Sequence, residues 1–210
     1  MTGIVAQNVG RTSGLVKAAG GGGGVWTLIK TLTASADATL SFVNGASDVI
    51  LDSTYPIYVF KFINIHSSEA EYFTFNLSTD GGSNYNVTKT STYFYADHAE
   101  NDSEALLTYR TPVDLAQSTA FQSLCSGDNM GLENDENFAG YLHLFNPSST
   151  TFVKHFMART IFNSQADFLF DSYIAGYGNT TSACDAVQFK MASGNIDLGK
   201  IKLYGLKDSA

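Results

Sequence analysis

The chain has 210 residues, enough for one domain with a substantial core, and it carries 12 basic and 20 acidic residues for a net charge of −8. Only 15% of its residues are charged and 13% are aromatic, with Ser, Thr, Asn and Gly supplying most of the remaining polarity. This composition is typical of strands joined by turns, and the acidic balance argues against a body that binds nucleic acid.

The front of the chain differs in charge from everything after it. The first 36 residues contain Arg11, Lys17 and Lys30 but no acid, and they include the five consecutive glycines of residues 20–24. The rest of the chain contains the other nine basic residues and all twenty acidic residues, so its net charge is −11. Five glycines cannot nucleate a helix or a strand, so they are interpreted as a hinge.

The sequence therefore predicts an anchoring arm at residues 1–24 and a folded domain at residues 25–210. Fully extended, the arm would reach roughly 80 Å, which is longer than a small domain is wide. We expect it to hold a partner through its apolar and basic side chains, which are Ile4, Val5, Val9, Arg11, Leu15, Val16 and Lys17.

Short runs rich in β-branched and aromatic residues recur after the hinge, with Gly, Asn, Asp or Pro between them. They predict about ten strands, and one of them, residues 57–65, is apolar on both phases. Such a strand is expected to be covered on both sides, by a second sheet and by a further partner such as another subunit. The ten predicted strands are residues 25–33, 39–43, 57–65, 72–79, 86–95, 138–145, 152–162, 168–177, 186–192 and 200–206.

One short helix is predicted, at about residues 112–124. Thr111 is a suitable N-cap, Pro112 suits the first helical position and Asp114 suits the positive first turn. Apolar residues then recur at helical spacing. The whole pattern favours an all-β fold, an antiparallel β-sandwich of the jelly-roll type with this helix added.

No motif predicts catalysis. The four histidines, His66, His98, His143 and His155, have no metal-ligand spacing, and we interpret them as structural. Cys125 and Cys184 lie far apart in sequence and are interpreted as small buried thiols. We predict no enzyme activity and no cofactor, and no apolar run reaches the roughly 20 residues that cross a membrane.

Two weaker binding signals remain open as alternatives. Ca²⁺ could bind two acidic loops, because carboxylates are its usual ligands, although neither loop has the EF-hand spacing. Exposed aromatic rings could form a sugar-binding face, since rings stack on saccharides. The acidic residues are Asp97, Glu100, Asp102 and Glu104 in one loop and Asp128, Glu133, Asp135 and Glu136 in the other; the aromatic candidates are Tyr93, Phe94, Tyr95 and Tyr109.

Three segments of the chain resemble small virion proteins of tailed bacteriophages, especially a group found in phages of marine bacteria. The segments are MTGIVAQNVGRTSGLVK at residues 1–17, FNPSSTTFVKHF at residues 145–156 and SGNIDLGKIKLYG at residues 193–205. The last of them, a Gly-Asn turn leading into a strand, is the most telling, although it marks a structural β-module and no chemistry.

The resemblance implies a non-enzymatic structural protein on the outer surface of the virion, made in the host cytoplasm. Its partners would be major capsid or tail proteins, and decoration proteins of this kind are commonly homotrimers. The expectation leans towards capsid decoration over a tail fibre, because the sequence has no coiled-coil or repeat shaft. The alternative is a tail-associated protein that binds a receptor or carbohydrate.

Overall fold

The computed structural model describes residues 26–207, and this part of the chain forms twelve strands without a helix. The predicted arm, including Ile4, Val5, Val9, Arg11, Leu15, Val16 and Lys17, lies outside the described residues. The strands are β1 (Trp26–Asp37), β2 (Leu40–Val43), β3 (Ile57–Ser67), β4 (Phe73–Ser78), β5 (Lys89–Ala99), β6 (Ala105–Tyr109), β7 (Gln122–Ser123), β8 (Phe138–Phe145), β9 (Lys154–Asn163), β10 (Phe168–Gly178), β11 (Ala186–Met191) and β12 (Ile196–Leu206).

The strands form two antiparallel sheets. The large sheet has eight strands in the order β1-β12-β3-β8-β9-β10-β5-β6, and the small sheet has four in the order β2-β11-β4-β7. Every pairing within each sheet is antiparallel. The prediction of an all-β, antiparallel, two-sheet fold is therefore confirmed, and the ten predicted strands correspond to ten of the twelve.

Aromatic rings from both sheets fill the space between them. Phe189 of β11 lies at the centre, with ring centroids of Phe60 and Phe62 from the large sheet at 5.2 and 5.3 Å. On its own sheet, it stacks on Phe73 at 5.8 Å. All four side chains are buried, because the alternation of each strand turns them to the same interior.

A bulge in β3 changes the facing that the sequence predicted for residues 57–65. Asn64 adopts a φ of 50°, and the pairing of β3 with β8 shifts between Phe62 and Ile65. One extra residue lets Phe62 and Ile65 both enter the core, while Ile63 is left 38% exposed on the other side. Nothing in the described chain covers Ile63, so the expectation that a further partner covers this face of the strand stays a prediction.

The helix predicted at residues 112–124 is not formed. Gln117 has a φ of 50°, which interrupts a helix, and residues 122–123 belong to strand β7. The backbone instead bonds to the free edge of β5, where Ser118 exchanges both hydrogen bonds with Lys89 and the Leu115 carbonyl accepts from the Ser91 N–H. Covering an open sheet edge satisfies these backbone groups more effectively than a short isolated helix would.

The acidic segment at residues 97–104 was predicted as a loop, and it is part of a hairpin. Asp97 and His98 lie in β5, which pairs with β6, a strand that the sequence pattern did not predict.

The two cysteines are free and buried, as expected, and burial raises the pKa of each thiol to about 12.

Replacing Phe189 by Ala should lower the free energy of unfolding by about 4 kcal/mol, because it empties the centre of the aromatic core. Phe152 is 69% exposed on a loop. The matched variant Phe152→Ala should therefore stay within about 0.5 kcal/mol of the parent. Urea unfolding measures both, and similar losses in the two variants would contradict this description of the core.

Candidate interaction face

The face of the large sheet that points away from the small sheet is unusually apolar. We call it the outer face, and it carries large side chains that are well exposed, up to 75% for Leu107. Soluble monomers seldom present large contiguous apolar patches unless another surface covers them. The exposed apolar side chains here are Leu28, Ile63, Phe94, Leu107, Tyr109, Tyr141, Met157, Ile161 and Leu169.

A row of aromatic and basic side chains crosses the middle of the outer face. Strand register places one residue from each of seven neighbouring strands directly beside the next. We call this the cross-sheet row; in spatial order it consists of Lys202, Lys61, Tyr141, Arg159, Tyr173, Phe94 and Tyr109.

Stacking and ion pairing fix the centre of the row. The Arg159 guanidinium lies 5.1 Å from the centroid of the Tyr173 ring and donates to both oxygens of Asp171, at 3.0 and 2.8 Å. These hydrogen bonds raise the pKa of Arg159 above its already high value. Phe94 stacks on the other side of Tyr173, with centroids 5.0 Å apart and nearly parallel planes. Cross-strand pairs of these kinds stabilise a sheet and hold its side chains in place.

A second cluster lies where β1 begins. The Trp26 ring is 5.8 Å from that of Tyr204 and 6.4 Å from that of His143, and the Lys61 amine lies 4.5 Å from the indole centroid. Tyr204 and His143 are the two cross-strand neighbours of Val59. The cluster therefore explains why Val59 is fully buried although it belongs to the outer face.

A shallow groove of about 490 Å³ runs beside the row, above strands β5, β10 and β9. The small side chain of Ala175 forms the floor of the groove, and the larger side chains of Met157, His155 and Tyr177 form its walls. The lining is almost entirely apolar, so an occupant would be held by burial of carbon surface.

The charge of the outer face is opposite to that of the molecule. The charged side chains that belong to the row, contact it or stand outward beside it are four bases and two acids. The bases are Lys61, Arg159, Lys200 and Lys202; the acids are Asp171 and Asp114, which accepts from the Tyr109 hydroxyl at 2.7 Å. The whole chain nevertheless has a net charge of −8. The face is therefore complementary to a surface that is apolar and acidic.

The structure separates the aromatic residues predicted for sugar binding. Tyr93 and Tyr95 are buried in the core, while Phe94 and Tyr109 lie on the outer face. One face of the Phe94 ring is covered by its stack with Tyr173. Alternation along β5 produces this separation, because successive side chains point to opposite faces.

The two acidic loops approach each other at one place. Asp97, Glu104 and Asp128 line a shallow pocket of about 240 Å³ beside Tyr95 and Phe170. Other members of the loops make local contacts: Asp102 pairs with His98 at 3.2 Å, and Glu136 accepts from the Glu133 N–H at 2.6 Å. Across residues 26–207, no group of three or more His, Cys, Asp or Glu side chains is arranged to hold a metal ion.

A polar pocket of about 470 Å³ lies at the bulge in β3, apart from the cross-sheet row. Amide groups of Asn64, Asn134 and Asn137 line it together with His66 and Asp197. The Nε2 atom of His66 contacts the Leu132 carbonyl at 3.1 Å, and its Nδ1 atom lies 3.6 Å from Asp197 without a hydrogen-bond partner. Gly199 is required opposite Asn64, because its φ is 117° and a Cβ there would meet the Asn64 carbonyl at 2.5 Å.

Only an indirect signal of the outer face is present in the sequence. Strands β9 and β10 carry aromatic or aliphatic residues on both phases, for example Phe156 and Met157, which excludes a water-facing side of ordinary polarity. Which residues become neighbours depends on register between distant strands, and a single sequence does not contain that information.

Comparisons with models of known families, with curated proteins and with solved structures found no match. Within residues 26–207 there is also no helix long and apolar enough to cross a bilayer. The interpretation of the face therefore depends on its own geometry.

Acidification should destabilise the Trp26 cluster through His143. Burial, together with the neighbouring Lys61 charge, lowers the pKa of His143 in the folded state. Between that lowered pKa and the ordinary value of about 6.5, the unfolded chain binds more protons, so stability is lost as pH falls through this window.

The measurement is the free energy of urea unfolding at pH 7.5 and pH 5, for the parent and for His143→Phe. The Phe variant keeps an aromatic ring against Trp26 but cannot titrate, so it should lose less stability on acidification. An equal loss in both proteins would show that His143 does not contribute to the pH dependence.

Proposed function

We propose that this protein is a non-enzymatic structural subunit of a particle surface, and that the outer face of its large sheet packs against a neighbouring protein. The observation that carries the proposal is the exposed apolar and basic outer face, with its cross-sheet row. A surface of this composition resembles the centre of a protein interface, which is enriched in Tyr, Phe, Met and Arg.

The strand order favours a jelly roll with two insertions. In a hairpin of eight strands rolled on itself, strand 1 pairs with 8, 8 with 3 and 3 with 6, while 2 pairs with 7, 7 with 4 and 4 with 5. Without the hairpins β5–β6 and β9–β10, the two sheets have the orders β1-β12-β3-β8 and β2-β11-β4-β7. When these eight strands are numbered 1 to 8 along the chain, their pairing is that of the jelly roll. The four inserted strands widen the large sheet and carry much of its exposed apolar surface. Jelly rolls are frequent in capsid and lectin domains.

Because of the resemblance to virion proteins of tailed phages, the particle in this proposal is a phage virion. The subunit would sit on the outer surface of a phage, with major capsid or tail proteins as partners, and a homotrimer is the expected assembly. Capsid decoration is favoured over a tail fibre. The low charge content and the apolar outer face both suit a subunit that is packed against other subunits in the assembled particle.

The anchoring arm would supply a second attachment point. Arg11 and Lys17 give it a positive charge, and once the domain is bound, the tether raises the effective concentration of the arm near its own binding site. Two weak contacts then act together as one strong attachment.

Deleting residues 1–24 should leave a folded, soluble domain that no longer attaches to particles. Circular dichroism checks the fold and co-sedimentation with particles lacking the protein checks attachment. Full attachment of the truncated protein would rule out the anchoring role of the arm.

The outer face is tested by the double variant Met157→Glu plus Ile161→Glu. Both side chains are about half exposed on β9, so the fold should tolerate the change, whereas two buried carboxylates would oppose docking. We expect at least tenfold weaker attachment to particles, with an unchanged unfolding midpoint.

The control is Phe152→Glu, which places one such carboxylate, against two in the outer-face variant, on an exposed apolar residue of the loop before β9. It should attach as the parent does. Equal attachment by the outer-face variant and the control would contradict the proposal, even if the arm deletion behaves as expected.

The alternative is a tail-associated protein that binds a receptor or carbohydrate, and the polar pocket at the bulge favours it. Its amides, the carboxylate of Asp197 and the unpartnered Nδ1 atom of His66 could bind sugar hydroxyls. A glycan array with and without a calcium chelator separates the two functions. A chelator-insensitive sugar signal that Asp197→Asn abolishes would support the alternative, whereas pure decoration gives no signal.

A further inference from the structure

A buried lysine amine meets a buried carboxamide between the two sheets. Lys89 begins β5 of the large sheet and Asn76 lies in β4 of the small sheet, and both residues are completely buried. The Nζ atom of Lys89 is 2.5 Å from the Oδ1 atom of Asn76, which is short for a contact of this kind. The amine also donates to the Val87 carbonyl at 2.8 Å.

No carboxylate compensates the charge of this amine. Within residues 26–207, the salt bridges involve His66, His98 and Arg159 as cationic partners, and none involves Lys89. Burial lowers the pKa of Lys89 to about 7, and the nearby Cys184 thiol is protonated because its own pKa is raised to about 12. At pH 8 and above, Lys89 is therefore mostly a neutral amine, which is the nucleophilic form.

The carboxamide of Asn76 is held from every side. Its Nδ2 group donates to the carbonyls of Tyr85 and Thr119, at 2.7 and 3.0 Å. Its Oδ1 atom accepts from the Leu77 N–H at 2.8 Å. A backbone N–H in that position would stabilise negative charge on the oxygen if a nucleophile added to the carbon.

We propose that Lys89 and Asn76 join in a covalent amide bond that links the two sheets. The lone pair of the Lys89 amine attacks the Asn76 Cγ atom and forms a tetrahedral adduct. One proton of the attacking nitrogen passes to the Asn76 nitrogen, the Cγ–Nδ2 bond breaks, and ammonia leaves. One C–N bond forms and one breaks, so the reaction requires no oxidant, reductant or other reactant.

Holding the two groups in a packed interior supplies the proximity that this reaction needs. No carboxyl group contacts the pair among the described residues, so the proton moves without a side-chain shuttle. The bond should therefore form gradually after folding. It would then resist the separation of the two sheets.

The chain offers an internal control in its second buried lysine. Lys154 is also completely buried, but its amine faces only backbone carbonyls, at 2.6 Å from Ser149, 2.7 Å from Phe152 and 3.3 Å from Thr180. It has no side-chain amide to attack, so it should remain a free amine.

The test is the intact mass of the full-length protein during incubation at pH 8.5. The folded parent should come to lack the mass of one ammonia, and Lys89→Met and Asn76→Leu should keep their full mass. Lys154→Met should still lose ammonia. The rate should level off above about pH 8, because Lys89 is by then already neutral. A parent that retains its full mass after prolonged incubation overturns the proposal, whether or not the variants fold.

A succinimide at the Asn44-Gly45 turn would give the same mass loss, so the position must be established. Trypsin has no site between Lys61 and Lys89, so a tryptic digest should give residues 62–110 as one internally linked peptide that is uncleaved after Lys89. A second digestion that cleaves at Asp80 should convert it into a branched peptide joining the segments around residues 76 and 89. The loss should also persist in denaturant at high pH, where a succinimide hydrolyses. A mass loss that maps to Asn44, or that disappears under these conditions, refutes the cross-link.

Discussion

Face-to-face packing of a narrow sheet on a wide one is the constraint on which the rest of this structure depends. Phe189 and its aromatic neighbours hold the four-stranded sheet against one face of the eight-stranded sheet. The other face has no layer above it in the described chain, yet it carries side chains of the kind usually found inside. Stability of the domain and exposure of large apolar side chains on the outer face therefore come from the same arrangement.

Local patterns in the sequence were sufficient to predict most of the strands and the all-β class. In residues 186–192, for example, Val187, Phe189 and Met191 alternate with the polar Gln188 and Lys190, and all three apolar side chains are buried. The prediction of a helix at residues 112–124 was wrong because its capping signals are local. The free edge of β5, to which the segment bonds instead, is formed by distant parts of the chain. Simple alternation along residues 57–65 places Ile63 and Ile65 on the same face. The positive φ of Asn64 reverses that alternation, so Ile65 is buried in the core while Ile63 lies on the outer face.

The candidate site was less accessible to prediction than the fold. Its members come from seven strands, and only the register of each pair places Arg159 between Tyr141 and Tyr173. The sequence pointed to a second apolar surface through residues 57–65, which are apolar on both phases. The arm was predicted from charge and glycine content, which need no tertiary information, but its seven proposed contact residues lie outside the described structure. Its role in attachment stays a prediction.

Oxidative footprinting of assembled particles against the free protein tests the central claim most directly. Met157 and Tyr141 are exposed on the outer face, and Phe152 is exposed on a loop and serves as an internal reference. If the outer face is the interface, Met157 and Tyr141 should become strongly protected on assembly while Phe152 stays reactive. Equal oxidation of Met157 and Tyr141 in the free and assembled states would contradict the account.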